Sequence, residues 1–124
     1  MTADENAPKP QRPEPGAVEF GAGAGGSAIV GLSGECDLTT RDALADALRR
    51  ASDQPGTVVL VDLSECSFID STVIGAIALS HKALAEQGRR LELVIPPDGR
   101  TVRRIVELSG LAPFFTIHES LPAD

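Results

Sequence analysis

Three small polar side chains in a row, Asp70, Ser71 and Thr72, interrupt an apolar stretch, Cys66-Ser67-Phe68-Ile69-Asp70-Ser71-Thr72-Val73-Ile74-Gly75. Placed at a helix start, such side chains suit the free N–H groups of the first turn, and on the residues alone capping is the first explanation. A second chemistry fits the same position. A hydroxyl at a helix N-terminus sits on a rigid element, where the helix dipole favours negative charge. Phosphorylation would add about −1.5 to −2 charges there, tolerated by the helix but costly for a partner docked over it.

Other reactive constellations are thin. His81 falls inside a predicted helix and His118 near the C-terminus, neither beside a recognisable Ser or Cys nucleophile motif. Cys36 and Cys66 are too few for a disulfide framework and read as two small buried thiols in a reducing compartment. There is no phosphate-cradling Gly-Lys-Ser/Thr loop and no metal-ligand spacing, so neither cofactor nor enzymatic activity is expected. Glycines 21, 23 and 26 have the spacing of a dinucleotide loop, yet Ser27-Ala28-Ile29-Val30 follows, a strand pattern. Pyrophosphate binding needs a helix start at that point. Gly21 to Gly26 therefore read as a flexible hairpin loop.

Composition narrows the partners. The formal net charge is −7, and the only aromatic residues are four Phe. Nucleic acid is held by clustered Lys and Arg and, when single-stranded, by stacking on aromatic rings. Here the basic residues are scattered, with Arg49-Arg50 and Arg103-Arg104 on predicted helices, so nucleic acid is not expected as a partner. The acidic balance discourages contact with anionic lipid, and no run approaches the roughly 20 apolar residues that span a bilayer. The N-terminus lacks the basic-then-apolar profile of a signal peptide. A cytoplasmic protein without a membrane partner is the expectation.

The elements that must position Ser71 follow from periodicity. Residues 1–16, with Pro8, Pro10, Pro13 and Pro15, read as a disordered tail, leaving one domain over 17–124. Ala17 to Phe20 and Ser27 to Leu32 are predicted strands. A helix is predicted from Thr39, capped with Asp42, with Leu44, Ala47, Leu48 and Ala51 on one face. Thr57 to Leu63 has the nearly continuous β-branched character of a strand buried on both faces, and Ser64 to Asp70 read as a link. Helices over 71–87 and 100–109, a strand over 91–95 and an edge strand over 114–117 complete the pattern, with Gly88 and Gly110 as stops. Alternation of strands and helical crossovers predicts an α/β layered domain with a mixed, mostly parallel sheet of about five strands and three to four helices.

Four segments, in this order and spacing, give the chain a resemblance to the anti-sigma factor antagonists of the STAS domain family, over roughly residues 17–121. They are Leu32-Ser33-Gly34-Glu35-Cys36-Asp37-Leu38; Val59 to Leu63 with Phe68-Ile69-Asp70-Ser71-Thr72; Gly88-Arg89-Arg90-Leu91; and Leu108-Ser109-Gly110-Leu111 with Phe114-Phe115. The resemblance implies that Ser71 is phosphorylated by an anti-sigma factor that is also an ATP-dependent serine kinase. Thr72 is the secondary acceptor. The unmodified protein would bind that kinase and free the sigma factor, and a metal-dependent serine phosphatase would restore it. Glu35, Asp37, Asp70, Ser71, Thr72 and Val73 are the implied partner-binding residues, with Glu35 and Asp37 in a loop before the first helix. Val73 stands where the family usually has Gly, and Cys36 where it has Leu. Two further readings keep the fold: a non-phosphorylated scaffold, for which Val73 would be the mark, and a domain that senses a nucleotide or other ligand.

Overall fold

The aliphatic, Val-rich run Val58-Val59-Leu60-Val61 opens the central strand of the computed structural model, which describes residues 14–122. That strand, β3 (Val58–Ile69), lies between β2 (Ala28–Cys36) and β4 (Arg90–Val94), parallel to both. β1 (Ala17–Ala22) pairs antiparallel with β2, and the two-residue β5 (Ile117–His118) closes the other edge in parallel, giving the spatial order β1-β2-β3-β4-β5. The helices α1 (Arg41–Ser52), α2 (Ser71–Glu86) and α3 (Arg100–Leu108) fill the three crossovers. Parallel neighbours require such crossovers. The expected mixed, mostly parallel α/β domain is the observed fold.

Alternation assigns the core. Val59, Val61 and Leu63 of β3 join Leu91 and Leu93 of β4 and the predicted apolar face of α1, while Leu60 and Val94 at alternate positions are buried outside that cluster. Burying each such aliphatic side chain contributes about 1.5–3 kcal/mol, which fixes the strand register. Gly88 takes φ +72° and ends α2, its N–H donating to Ala85 O and that of Arg89 to Leu84 O.

Several expected boundaries move. β2 does not stop at Leu32: Gly34 and Cys36 continue its buried alternation, so Glu35 is a strand residue and not a loop residue. Ser64 to Ile69 is not a link but the second half of β3, paired Gly34–Cys66, Glu35–Phe68 and Cys36–Ile69. Register shifts between Gly31 and Ser33 and between Gly34 and Glu35 spread its buried residues to Leu63, Cys66 and Ile69, and this irregular spacing hid the strand. The helix cap is not Thr39 with Asp42. Asp37 caps a 3₁₀ turn over Leu38–Thr40, accepting from Thr39 N, while Thr40 Oγ1 accepts from Asp37 N, and α1 begins at Arg41. The last strand is 117–118 because Ala112–Phe114 forms a 3₁₀ turn around Pro113. Ser109, expected as the last residue of the third helix, is instead the exposed C-cap after α3.

Of the tail expected over 1–16, residues 1–13 lie outside the described residues. Its last part does not hang free: Glu35 N donates to Glu14 O at 3.0 Å, and Pro15 bridges Glu35. Gly34 makes room for this segment, since a Cβ on it would meet Pro15 O at 2.5 Å and its φ of +70° already favours glycine.

Candidate functional site

β2 and β3 run parallel, so their C-terminal ends emerge together and the helices that follow them start at the same end of the sheet. The junction is tight: Asp70 N donates to Cys36 O at 3.2 Å. From there the chain turns directly into α2, with Asp70 in extended backbone as its N-cap and its Oδ1 accepting from Val73 N at 3.0 Å. The capping role thus falls to Asp70. Ser71 is the first helical residue, is exposed, and its hydroxyl has no hydrogen-bond partner among the described residues. Thr72 is half-buried and likewise makes no side-chain hydrogen bond there. Val73 N and Ile74 N are thus taken by Asp70, through its carboxylate and its carbonyl, and the amides of Ser71 and Thr72 are left at the positive end of the helix dipole.

The other sequence-derived candidates divide. Asp37 stands across the junction and is brought to the same end, but its carboxylate is occupied by the Thr39 hydroxyl at 2.6 Å and the Thr39 amide at 2.9 Å. Those bonds hold its carboxyl below the usual carboxylate range. Glu35 is half-buried on β2 opposite Phe68. Val73 does not face a partner at all: it is fully buried in the core, so its departure from Gly alters the inside of the turn and not the surface.

Cys36 and Cys66 lie in β2 and β3, both buried and both free thiols. Their thiols donate to Ser33 O and Phe68 O, each at 3.3 Å. Burial raises the Cys36 thiol, and burial followed by the neighbouring Cys36 pushes Cys66 up to about 12. Both stay protonated at neutral pH, which makes them poor nucleophiles. His81 packs its ring on Phe115 with centroids 4.9 Å apart, and His118 Nε2 lies 2.8 Å from Glu92 Oε1 on the far part of the sheet. No cluster of three or more His, Cys, Asp or Glu that could hold a metal occurs among the described residues. Nor is any described helix long and apolar enough to cross a membrane.

Sequence reasoning missed the apolar surface around Ser71. Leu38, in the turn after Asp37, is 59% exposed, and Phe68, two residues before Asp70, is 39% exposed. A groove of about 620 Å³ runs between α1 and α2, beginning at Arg41 and Ser71 and passing Leu79, which is 71% exposed. The sequence offered only an apolar helix over 71–87, and it takes the structure to separate Leu79 from the buried Val73, Ile77 and Leu84.

A family model described as Mlab, STAS domain matches residues 22–117. The chain belongs to the STAS domain family. It is similar to the anti-sigma-F factor antagonist RsfB of Mycobacterium tuberculosis, 28% identical over 100 residues that cover 77% of this chain and 80% of that protein. It is 31% identical to the anti-sigma-B factor antagonist of Listeria monocytogenes over 86 residues, covering 69% of this chain and 74% of the relative. Among solved structures, the crystal structure of an anti-sigma factor antagonist from Mycobacterium paratuberculosis superposes with a TM-score of 0.73 at 26% identity, covering 86% of this chain and 88% of that one. In this STAS domain the exposed hydroxyl and its neighbouring cap lie at one end of the sheet, where the groove between α1 and α2 begins.

Proposed function

We propose that this protein is an anti-sigma factor antagonist, active when unmodified and switched off by phosphorylation of Ser71. The similarity to proteins named as antagonists supports the first half of that reading. The observation that carries the second is the division of labour at the start of α2: Asp70 caps the helix, so the Ser71 hydroxyl is exposed and uncommitted. The partner is an anti-sigma factor with serine kinase activity, seated over Ser71 and the apolar side chains Leu38, Phe68 and Leu79. It transfers the γ-phosphoryl group of ATP to Ser71 Oγ, releasing ADP and the hydroxyl proton. The resulting dianion would have to be desolvated inside the contact, which opposes rebinding. A metal-dependent serine phosphatase reverses the modification. The scaffold alternative loses its main support because Val73 is buried, away from the surface where a kinase would dock.

Incubation with the cognate kinase and ATP is expected to add a single phosphate, located to Ser71 by intact mass and peptide mapping. Ser71→Asp is expected to weaken the complex at least tenfold, about 1.4 kcal/mol. Wild-type affinity in both Ser71→Asp and Ser71→Ala overturns the switch.

A further inference from the structure

The groove between α1 and α2 has two distinct ends. Its middle is lined by small and aliphatic residues such as Ala45, Ala76 and Leu79, and the end where the helices stop by Arg49, Ser52 and Gln87. At the end where both helices begin, its lining includes Arg41 and Asp42 of α1 and Ser71 and Thr72 of α2. Arg41 is the first residue of α1 and Ser71 the first of α2, and the parallel strands preceding them deliver both to the same corner. The Arg41 side chain is 55% exposed. Among the described residues its one ion partner is the adjacent Asp42, through Nε at 3.7 Å, so the outer edge of the guanidinium is uncommitted.

Resting on the reading of Ser71 as a phosphoacceptor, we propose that Arg41 is the intramolecular receptor for phosphoserine 71, drawing the phosphate across the mouth of the α1/α2 groove. A guanidinium presents its N–H groups in a fork that matches phosphate oxygens, which a point charge does not. The other charged groups at this corner are carboxylates. Asp70 is committed to Val73 N and Asp37 to Thr39, leaving Asp42 as the group that opposes the phosphate and competes for Arg41. Phosphorylation then exchanges the partner of Arg41 from Asp42 to the new dianion. The modified surface carries a bound, partly neutralised phosphate in place of an open groove mouth. Exclusion of a partner therefore combines charge with occupancy of the site.

The test uses full-length protein carrying phosphoserine at residue 71 from synthesis, with no kinase or binding partner present, titrated by phosphorus NMR. An opposite charge nearby favours the dianion. Arg41→Gln is expected to raise the apparent second pKa of the phosphate by about 0.5 unit, Arg41→Lys to restore part of the difference, and Asp42→Asn to move it downward. An unchanged titration in Arg41→Gln overturns the assignment, as does an Arg41→Lys variant indistinguishable from Arg41→Gln. Because the phosphate is installed chemically, this result is independent of whether a kinase labels Ser71. A flat titration leaves the proposed switch standing, and failed labelling leaves the Arg41 contact standing.

Discussion

The two ends of the parallel strands treat their polar groups in opposite ways. At the end where α1 stops and β3 begins, one guanidinium gathers the loose carbonyls: Arg89 donates to Ser52 O at 2.6 Å, Gln54 O at 2.9 Å and Gly56 O at 3.0 Å. These are acceptors that a helix terminus and its loop leave without partners. At the other end, where α1 and α2 begin, Asp37 and Asp70 each close one turn while the hydroxyl of Ser71 stays open. One end spends its polar groups on holding the chain together. The other satisfies only enough to keep its shape, and what remains is available to a partner.

Arg89→Ala should show the largest effect. Three charge-assisted hydrogen bonds would be lost at once, linking the turn after α2 to the segment between α1 and β3. A loss of about 2–4 kcal/mol in unfolding free energy is expected by urea denaturation, with Arg89→Lys recovering only a fraction because an ammonium lacks the fork geometry. A loss under about 0.5 kcal/mol would mean the two ends do not differ as described.

At the opposite end the contrast is between neighbours. Asp70→Ala removes the cap of α2 and should cost about 1 kcal/mol, whereas Ser71→Ala should fall within about 0.5 kcal/mol of wild type. Thermal or urea denaturation of the two variants side by side reads the difference. If Ser71→Ala is the more damaging, Ser71 is a structural residue and the open hydroxyl is not held for a partner.

How much of this was legible beforehand depended on the kind of interaction. The apolar face Leu44, Ala47, Leu48 and Ala51, the start of α2 at Ser71 and the left-handed stop at Gly88 were all readable, because each follows from local spacing or backbone chemistry. The second half of β3 was not. Its side chains alternate irregularly because bulges in its pairing with β2 shift the register, and a bulge is a property of two strands. The same limit applied at the site. Ser71 stood out by residue type, but the burial of Val73, the pairing of Cys36 with Ile69, and the placing of Arg41 and Ser71 along one groove depend on how distant segments pack. The structural part of Arg89 is likewise invisible in its local segment Gly88-Arg89-Arg90-Leu91, since its three acceptors lie 33 to 37 residues earlier.

A smaller effect separates paired from unpaired charges on the β4–β5 edge. Glu92 accepts from Arg90 Nε at 3.1 Å and meets His118 Nε2 at 2.8 Å. Burial by itself would push its carboxyl up, but the hydrogen bonds from His118 and Arg90 outweigh burial and hold it below the ordinary carboxylate range. The folded protein thus binds fewer protons at Glu92 than the unfolded chain does across that window. The stability it contributes is full above the ordinary carboxylate pKa and disappears as pH falls through the lowered folded value. Ion pairs of this exposure contribute about 1 kcal/mol or less. Glu92→Gln should therefore be slightly less stable than wild type at pH 7, with the gap closing as urea denaturation is repeated at successively lower pH towards 3. The partly exposed Asp37, fixed by Thr39 at the Ser71 end, should show the same sign of pH dependence, because its carboxyl is lowered too. A gap for Glu92→Gln that widens on acidification would reverse the sign and show that burial, not pairing, dominates at this edge.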